Sequence, residues 1–236
     1  MIKIEYVEVS GWAATIRGMR NPKNSWEKSD SEYIYCEHNG EWQPKVEIGP
    51  NDHDLMTKLR NAGTDHRKYL RYIDVTCDVV APLYWWKEFD TYKVGTVANS
   101  CSTMHKIHEK EFTLDDFSCE HLVNLVPGHE YFSYGNTLDL LKYTIEHLNF
   151  FRSKFIEMPE EGGSNGMTKK DVWWQMIQLL PSSYNQRRTI KLNYEVLANI
   201  YKSRRGHKLD EWREFCKWIE SLPYSELITG IKKEGE

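Results

Sequence analysis

Apolar and polar residues alternate most strictly in "YIDVTCDVVAP", where Ile73, Val75, Cys77 and Val79 oppose Asp74, Thr76 and Asp78. A period of two over that length predicts a half-buried β-strand. The same period opens the chain, with Ile2, Ile4, Tyr6 or Val7 and Val9 set against Lys3, Glu5 and Glu8, and predicts a half-buried strand over 2–9. Tyr33 and Tyr35, then the turn pair Asn39-Gly40, then Trp42, Val46 and Ile48 read as a hairpin. Elsewhere the period lengthens. Leu138, Leu141, Ile145, Leu148, Phe151 and Phe155 recur at three- and four-residue steps behind Asn136, which predicts a long amphipathic helix with an asparagine cap. Asp52 is placed to cap a helix running through Leu55, Met56 and Leu59 to Gly63, and Pro82 opens a helix that carries Trp85 and Trp86. Three more helices are expected over 171–180, roughly 190–205, and 208–221, closed by Pro181, Gly206 and Pro223. "EMPEEGGSNGMTK" is the one stretch of flexible-loop composition, so a single α+β domain over 1–236 is the simplest organisation.

Composition narrows the function classes. The 236 residues are 40% hydrophobic and 28% charged, ordinary for a globular chain. Net charge is −4 with Lys and Arg spread along the chain, which gives no clustered basic footprint for nucleic acid. No apolar run approaches the ~20 residues of a membrane helix and the N-terminus carries no apolar targeting core, so a cytoplasmic protein is expected. Five cysteines, none in a CxxC pair, argue for a reducing compartment over a disulfide framework. Nine Trp and fourteen Tyr favour extensive interfaces or flat ligands.

The chain has no GxGxxG, no GxxxxGK[ST] and no GxSxG elbow, the literal GGSNG over 162–166 falling in the stretch of loop composition, which leaves the usual nucleotide loops and serine hydrolase chemistry without support. Cys101, His105 and His108 have metal-like spacing but no fourth ligand, and no metal is expected. Asp115 and Asp116 near Glu120 read as the first turn of a helix behind Thr113. What remains is the polar run of Thr91, Thr96, Asn99, Ser100, Cys101, Ser102 and Thr103, rich in donors and acceptors and suited to a small polar ligand or to an ordinary loop.

The segment over 66–104 resembles the central region of the flavin-dependent thymidylate synthases, the ThyX family. His66, Ala81-Pro82, Glu88-Phe89, then Thr91-Tyr92-Lys93, Thr96, Cys101 and Thr103 keep the spacing of that family's histidine, Ala-Pro step, Gln-Trp pair and R-H-R-x-x-S-x-x-x-x-S-x-R signature while changing most of its letters. A second segment is similar to the family's Leu-Pro step and following helix, with Pro181, Asn193, Asn199 and Arg204 in register, and His207 and Glu211 are the nearest matches to its H-A-Q-x-E-I helix. Residues 1–62 are divergent.

The resemblance implies a ThyX-like α+β fold, a homotetramer, FAD as cofactor, and reductive methylation of dUMP or a related pyrimidine nucleotide with methylenetetrahydrofolate and NADPH. It assigns His66, Tyr92, Lys93, Asn193 and Asn199 to the flavin, Glu88, Thr96, Cys101, Thr103 and Arg204 to the nucleotide, and Arg204 and Cys101 to catalysis. Eleven residues being close to three turns, Asn193 and Arg204 are expected on one helix face. The departures are in the anion contacts: Thr91, Lys93 and Thr103 stand where the family has arginine, Glu88 replaces Gln, and Ile177 replaces an Arg before Pro181. Lysine meets phosphate as a point charge without the planar fork. Arg17 and Arg20 are conceivable replacements, with a plain surface position the better reading. Cys101 is readable as a hydrogen-bonding residue, a nucleophile or, preferred, a small buried hydrophobe. The alternative function is a non-catalytic nucleotide- or flavin-binding protein on the same fold.

Overall fold

The structure, a computed structural model, describes residues 2–38, 41–123, 136–159, 163 and 166–231. In chain order the elements are β1 (Lys3–Ser10), α1 (Trp12–Arg20), β2 (Glu32–His38), β3 (Glu41–Glu47), α2 (Pro50–Asn61), β4 (Asp74–Pro82), α3 (Leu83–Phe89), β5 (Val97–Ser100), α4 (Thr137–Glu157), α5 (Lys169–Leu179), β6 (Asn185–Asn193), α6 (Tyr194–Arg204), α7 (Asp210–Glu220) and α8 (Glu226–Thr229), with short 3₁₀ turns between some of them. Four strands form a sheet in the order β1-β4-β6-β5, and β2 pairs with β3 in an antiparallel hairpin. The α+β class expected from the sequence holds. The chain's contacts gather into two compact units, one of residues 1–3, 79–90 and 99–188, the other of 4–78, 91–98 and 189–236.

The first of these is built on α4 and α5. Asn136 Oδ1 accepts from the Asp139 amide at 2.8 Å, the cap the sequence predicts. Leu141, Ile145, Leu148 and Met176 are buried with Ile107, Phe112 and Phe117. Ile177 packs against this cluster as a hydrophobe. Thr168 and Asp171 form a capping box on α5, and Asp115 and Asp116 form the predicted first turn behind Thr113, as a 3₁₀ turn. The unit's α3 buries Trp85, Trp86 and Phe89.

In the other unit β4 shows the expected burial alternation, with Val75 and Cys77 inside, and α6 packs with α7, α8 and the 3₁₀ turn Arg67–Tyr72. Three expectations are corrected. Residues 190–193 are strand, not helix, because β6 runs to Asn193 and α6 starts at Tyr194. The period of two was masked by polar residues at inward positions: Gln186 is buried, and Arg188 is half-buried over the Trp86 ring at 4.3 Å and bonded to Asp90. Asp52 does not cap α2; the cap residue is Gly49, and the Asp30 carboxylate accepts from the Asn51 and Asp52 amides at 2.8 and 3.1 Å. Arg20, expected at the surface, is buried in an ion pair with Asp52. Strand β1 is present but less buried than its pattern implies: Tyr6 is 74% exposed and Val7 41%, and Tyr6 adopts φ +53°. The Asn39-Gly40 turn and part of the expected loop near 160–165 lie outside the described residues; β2 and β3 pair from Glu32 with Glu47 to His38 with Glu41.

Glycine is required at Gly11, where φ is +94° and a Cβ would stand 1.8 Å from the Tyr72 carbonyl oxygen. Gly63 also has a positive φ, +106°, but open space around it. Gly63→Ala is expected to cost about 1–2 kcal/mol and Gly11→Ala clearly more, as read by urea denaturation midpoints; equal losses would show that the clash is relieved without cost.

Candidate functional site

The loop over 91–96 follows α3 and approaches the start of α6. Its Gly95 has φ +82°, and a Cβ there would lie 3.1 Å from Asn193 Nδ2 and 3.2 Å from a Val196 methyl, so only glycine lets the backbone come this near. The Thr96 hydroxyl donates to the Tyr92 carbonyl and closes the turn. Tyr92 then reaches the far end of α6, where its hydroxyl accepts from Arg204 Nε at 2.9 Å.

Arg204 is held on several sides. Its guanidinium lies 4.8 Å from the Trp212 ring centre and 5.7 Å from that of Tyr92, and Nη1 is 3.0 Å from His207 Nε2. Tyr92 and Trp212 meet edge to face with ring centres 6.0 Å apart. The result is a planar cation fixed among aromatic faces, the arrangement in which arginine best holds the edge of an anion or a polar ring.

The other flavin candidates are divided between structural and open roles. Asn193 is extended and caps α6, its Oδ1 accepting from the Val196 amide at 3.1 Å. It therefore lies before the helix, not on a face shared with Arg204, and the eleven residues of α6 separate the two by roughly 16 Å at 1.5 Å per residue. Asn199 is exposed, and its Oδ1 accepts from Arg67 at 3.0 Å. Arg67 is in turn paired with the buried Glu195 at 2.8 Å. This anchorage orients the Asn199 amide and leaves Nδ2 to donate. His66 and Lys93 are exposed.

Glu88, Cys101 and Thr103 belong to the unit that holds α4 and α5. Glu88 and Thr103 are half-buried. Cys101 is exposed, which overturns the buried-hydrophobe reading. Its amide donates to the Arg187 carbonyl at 3.0 Å and its carbonyl accepts from Gln186 Nε2 at 2.9 Å, so β6 fixes the backbone while leaving the thiol outside. Burial and the nearby Asp78 charge push the Cys77 thiol up to about 12, and burial with Glu220 pushes Cys216 up to about 11. Among the described residues no three His, Cys, Asp or Glu side chains gather to hold a metal, and no helix is long and apolar enough to cross a membrane.

Sequence reasoning missed Trp212, Arg67 and Glu195. Trp212 is one apolar position of the amphipathic α7 and carries no separate signal. Glu195 does: a carboxylate between Tyr194 and Val196, inside an otherwise apolar helix start, calls for a cation.

No known family profile and no curated protein sequence matches the chain. Solved structures do. The chain is similar to the flavin-dependent thymidylate synthase ThyX from Helicobacter pylori complexed with FAD and dUMP, with a TM-score of 0.63, 14% identity, and 98% of this chain and 100% of that chain covered. It is also similar to a UMP/dUMP methylase, PolB, from Streptomyces cacaoi bound with 5-Br dUMP, with a TM-score of 0.54, 14% identity, and 98% and 96% covered. The likeness spans the whole chain, and the ThyX-like fold expected from the sequence is the fold observed.

Proposed function

We infer that the chain is a flavin-dependent methylase of a pyrimidine nucleotide, acting on dUMP or a related nucleotide with methylenetetrahydrofolate, FAD and NADPH, in the cytoplasm and as a homotetramer. The observation that carries this reading is the braced Arg204, on a scaffold whose solved likenesses bind dUMP or its bromo analogue. A guanidinium held by Tyr92, His207 and Trp212 is suited to polarise a pyrimidine ring and to stabilise negative charge developing on it. The exposed Lys93 fits a cofactor pyrophosphate, and the imidazole of His66 and the Nδ2 of Asn199 fit hydrogen bonds to a flavin ring or its ribityl chain. Bound flavin would supply the hydride that completes the methyl group. Exposed Leu140, Tyr143 and Phe150, at helical steps along α4, support assembly with further copies.

A second reading, a flavin- or nucleotide-binding protein without catalysis, is favoured by Asn193 and Asn199, whose carbonyl oxygens already serve the chain's own α6 and Arg67.

The test begins with the visible absorption of the purified protein after FAD addition, with light scattering on the same sample. Wild type should be yellow and larger than a monomer; Asn199→Ala and Lys93→Ala should each lower flavin occupancy, the lost bonds being worth roughly 1–3 kcal/mol. A colourless monomer sinks the first reading, and one that also binds no dUMP in calorimetry sinks the second. A yellow oligomer that leaves dUMP unmethylated when given folate donor and NADPH selects the second.

A further inference from the structure

A cleft of about 520 Å³ opens in the unit that holds α4 and α5, and the chemistry above makes no use of it. One wall is the segment after β5, with Met104, His105 and His108; the other is Phe155 near the end of α4 and the first two turns of α5. Every ionisable side chain lining it is a base: His105, His108, Lys169 and Lys170. In a chain of net charge −4 this concentration is not a sample of the average surface.

The aromatic residues give the cleft a flat lining. The His108 and Phe155 rings lie 4.5 Å apart, and Lys169 Nζ sits 5.1 Å from the Phe155 ring centre. Trp173 Nε1 donates to the Met104 carbonyl at 2.8 Å, which ties the wall after β5 to α5 and holds the cleft's width. A second observation points to a ligand: Nδ1 of the lining residue His108 is buried and has no hydrogen-bond partner. A buried imidazole nitrogen without a partner is costly, and a turn of the His108 ring that brought Nδ1 to the cleft would let a ligand's donor or acceptor remove that cost.

We propose that this cleft is a second ligand site, taking a phosphate ester that carries a flat ring, of the nucleotide class. The lysines meet the phosphates, and the ring lies against Phe155, His108 and Trp173.

Calorimetry on the full-length protein tests this with four probes: ADP, inorganic pyrophosphate, adenosine and N-benzoylglutamate. ADP should bind tightest, lose affinity on the order of tenfold or more in Lys169→Ala/Lys170→Ala, and be unaffected by Arg204→Ala. Lys170 is exposed and Lys169 half-buried in the first turn of α5, outside the buried positions of that helix, so far-ultraviolet circular dichroism should show the double variant folded; Trp173→Phe, which keeps a ring, should weaken ADP less than the lysine changes and leave pyrophosphate unchanged. The proposal is overturned if the lysine variant binds ADP as wild type does, if ADP affinity follows Arg204, if pyrophosphate equals ADP, or if the carboxylate probe binds more tightly than the nucleotide.

Discussion

Asp52→Ala should be among the most damaging single changes, lowering stability by about 3–5 kcal/mol. Its Oδ1 is 2.6 Å from Arg20 Nε, and both side chains are nearly out of solvent, at 0% and 4% exposure. Its Oδ2 accepts from the hydroxyls of Ser29 and Ser31 at 2.7 and 2.6 Å and from the amides of Asp30 and Ser31. Removing the carboxylate leaves a buried guanidinium without its counter-charge and several donors without an acceptor. Lys58→Ala, which breaks the exposed pair with Asp54, should cost no more than about 0.5 kcal/mol. The double change Arg20→Met/Asp52→Leu should recover most of the loss, since an apolar pair of similar volume avoids the desolvation of both ions. Urea midpoints on the four proteins decide the matter, and an Asp52→Ala midpoint close to wild type would mean that Arg20 finds another partner.

The same carboxylate sets an acid limb. Burial raises the pKa of Asp52, but the hydrogen bonds from Ser31, Ser29 and Arg20 and the Arg20 charge together outweigh it and hold the pKa below its ordinary value. Its contribution is therefore complete above the unfolded-state value, about 3.9, and is lost as pH falls through that value toward the lower folded one. In Asp52→Ala this part of the pH dependence should disappear.

Arg204→Ala should weaken dUMP binding by roughly 1.5–3 kcal/mol, the worth of a charge-assisted bond, which is about 10- to 150-fold in affinity. The fold should persist, because Arg204 ends α6 and the buried positions of that helix are untouched. Arg204→Lys should not restore binding: an ammonium cannot bond Tyr92 and His207 while presenting a planar edge between aromatic faces. Titration calorimetry with dUMP distinguishes the outcomes, and unchanged affinity in Arg204→Ala would remove the proposed nucleotide site.

Elements whose burial is one-sided were legible in the sequence. β4 and α4 turn one apolar face inward, and their residues say so at periods of two and three to four. β6 was not legible, because Gln186 and Arg188 occupy inward positions and are satisfied by Cys101, Trp86 and Asp90, partners remote in sequence. The Asp30 cap on α2 and the Arg20–Asp52 pair failed for the same reason, a partner some 20 or more residues away that no local pattern announces. At the candidate site the family resemblance pointed to Tyr92, Thr96, Asn193 and Arg204, which in the structure all border the loop over 91–96 and α6. It could not show that Asn193 is a helix cap, since an asparagine retained for capping and one retained for a ligand are the same letter.

Strand β1 is an outer strand of the four-stranded sheet, with the large apolar side chains of Tyr6 and Val7 in solvent. An edge of that composition invites another chain to add a strand. The positive φ of Tyr6 breaks the regular alternation of ladder groups in mid-strand, so an incoming strand would find no long straight row of donors and acceptors to pair with. A backbone irregularity that costs some local stability thus blunts an edge that would otherwise be a template for aggregation, and a change that straightened β1 would make the protein stickier even where it made the strand itself more regular.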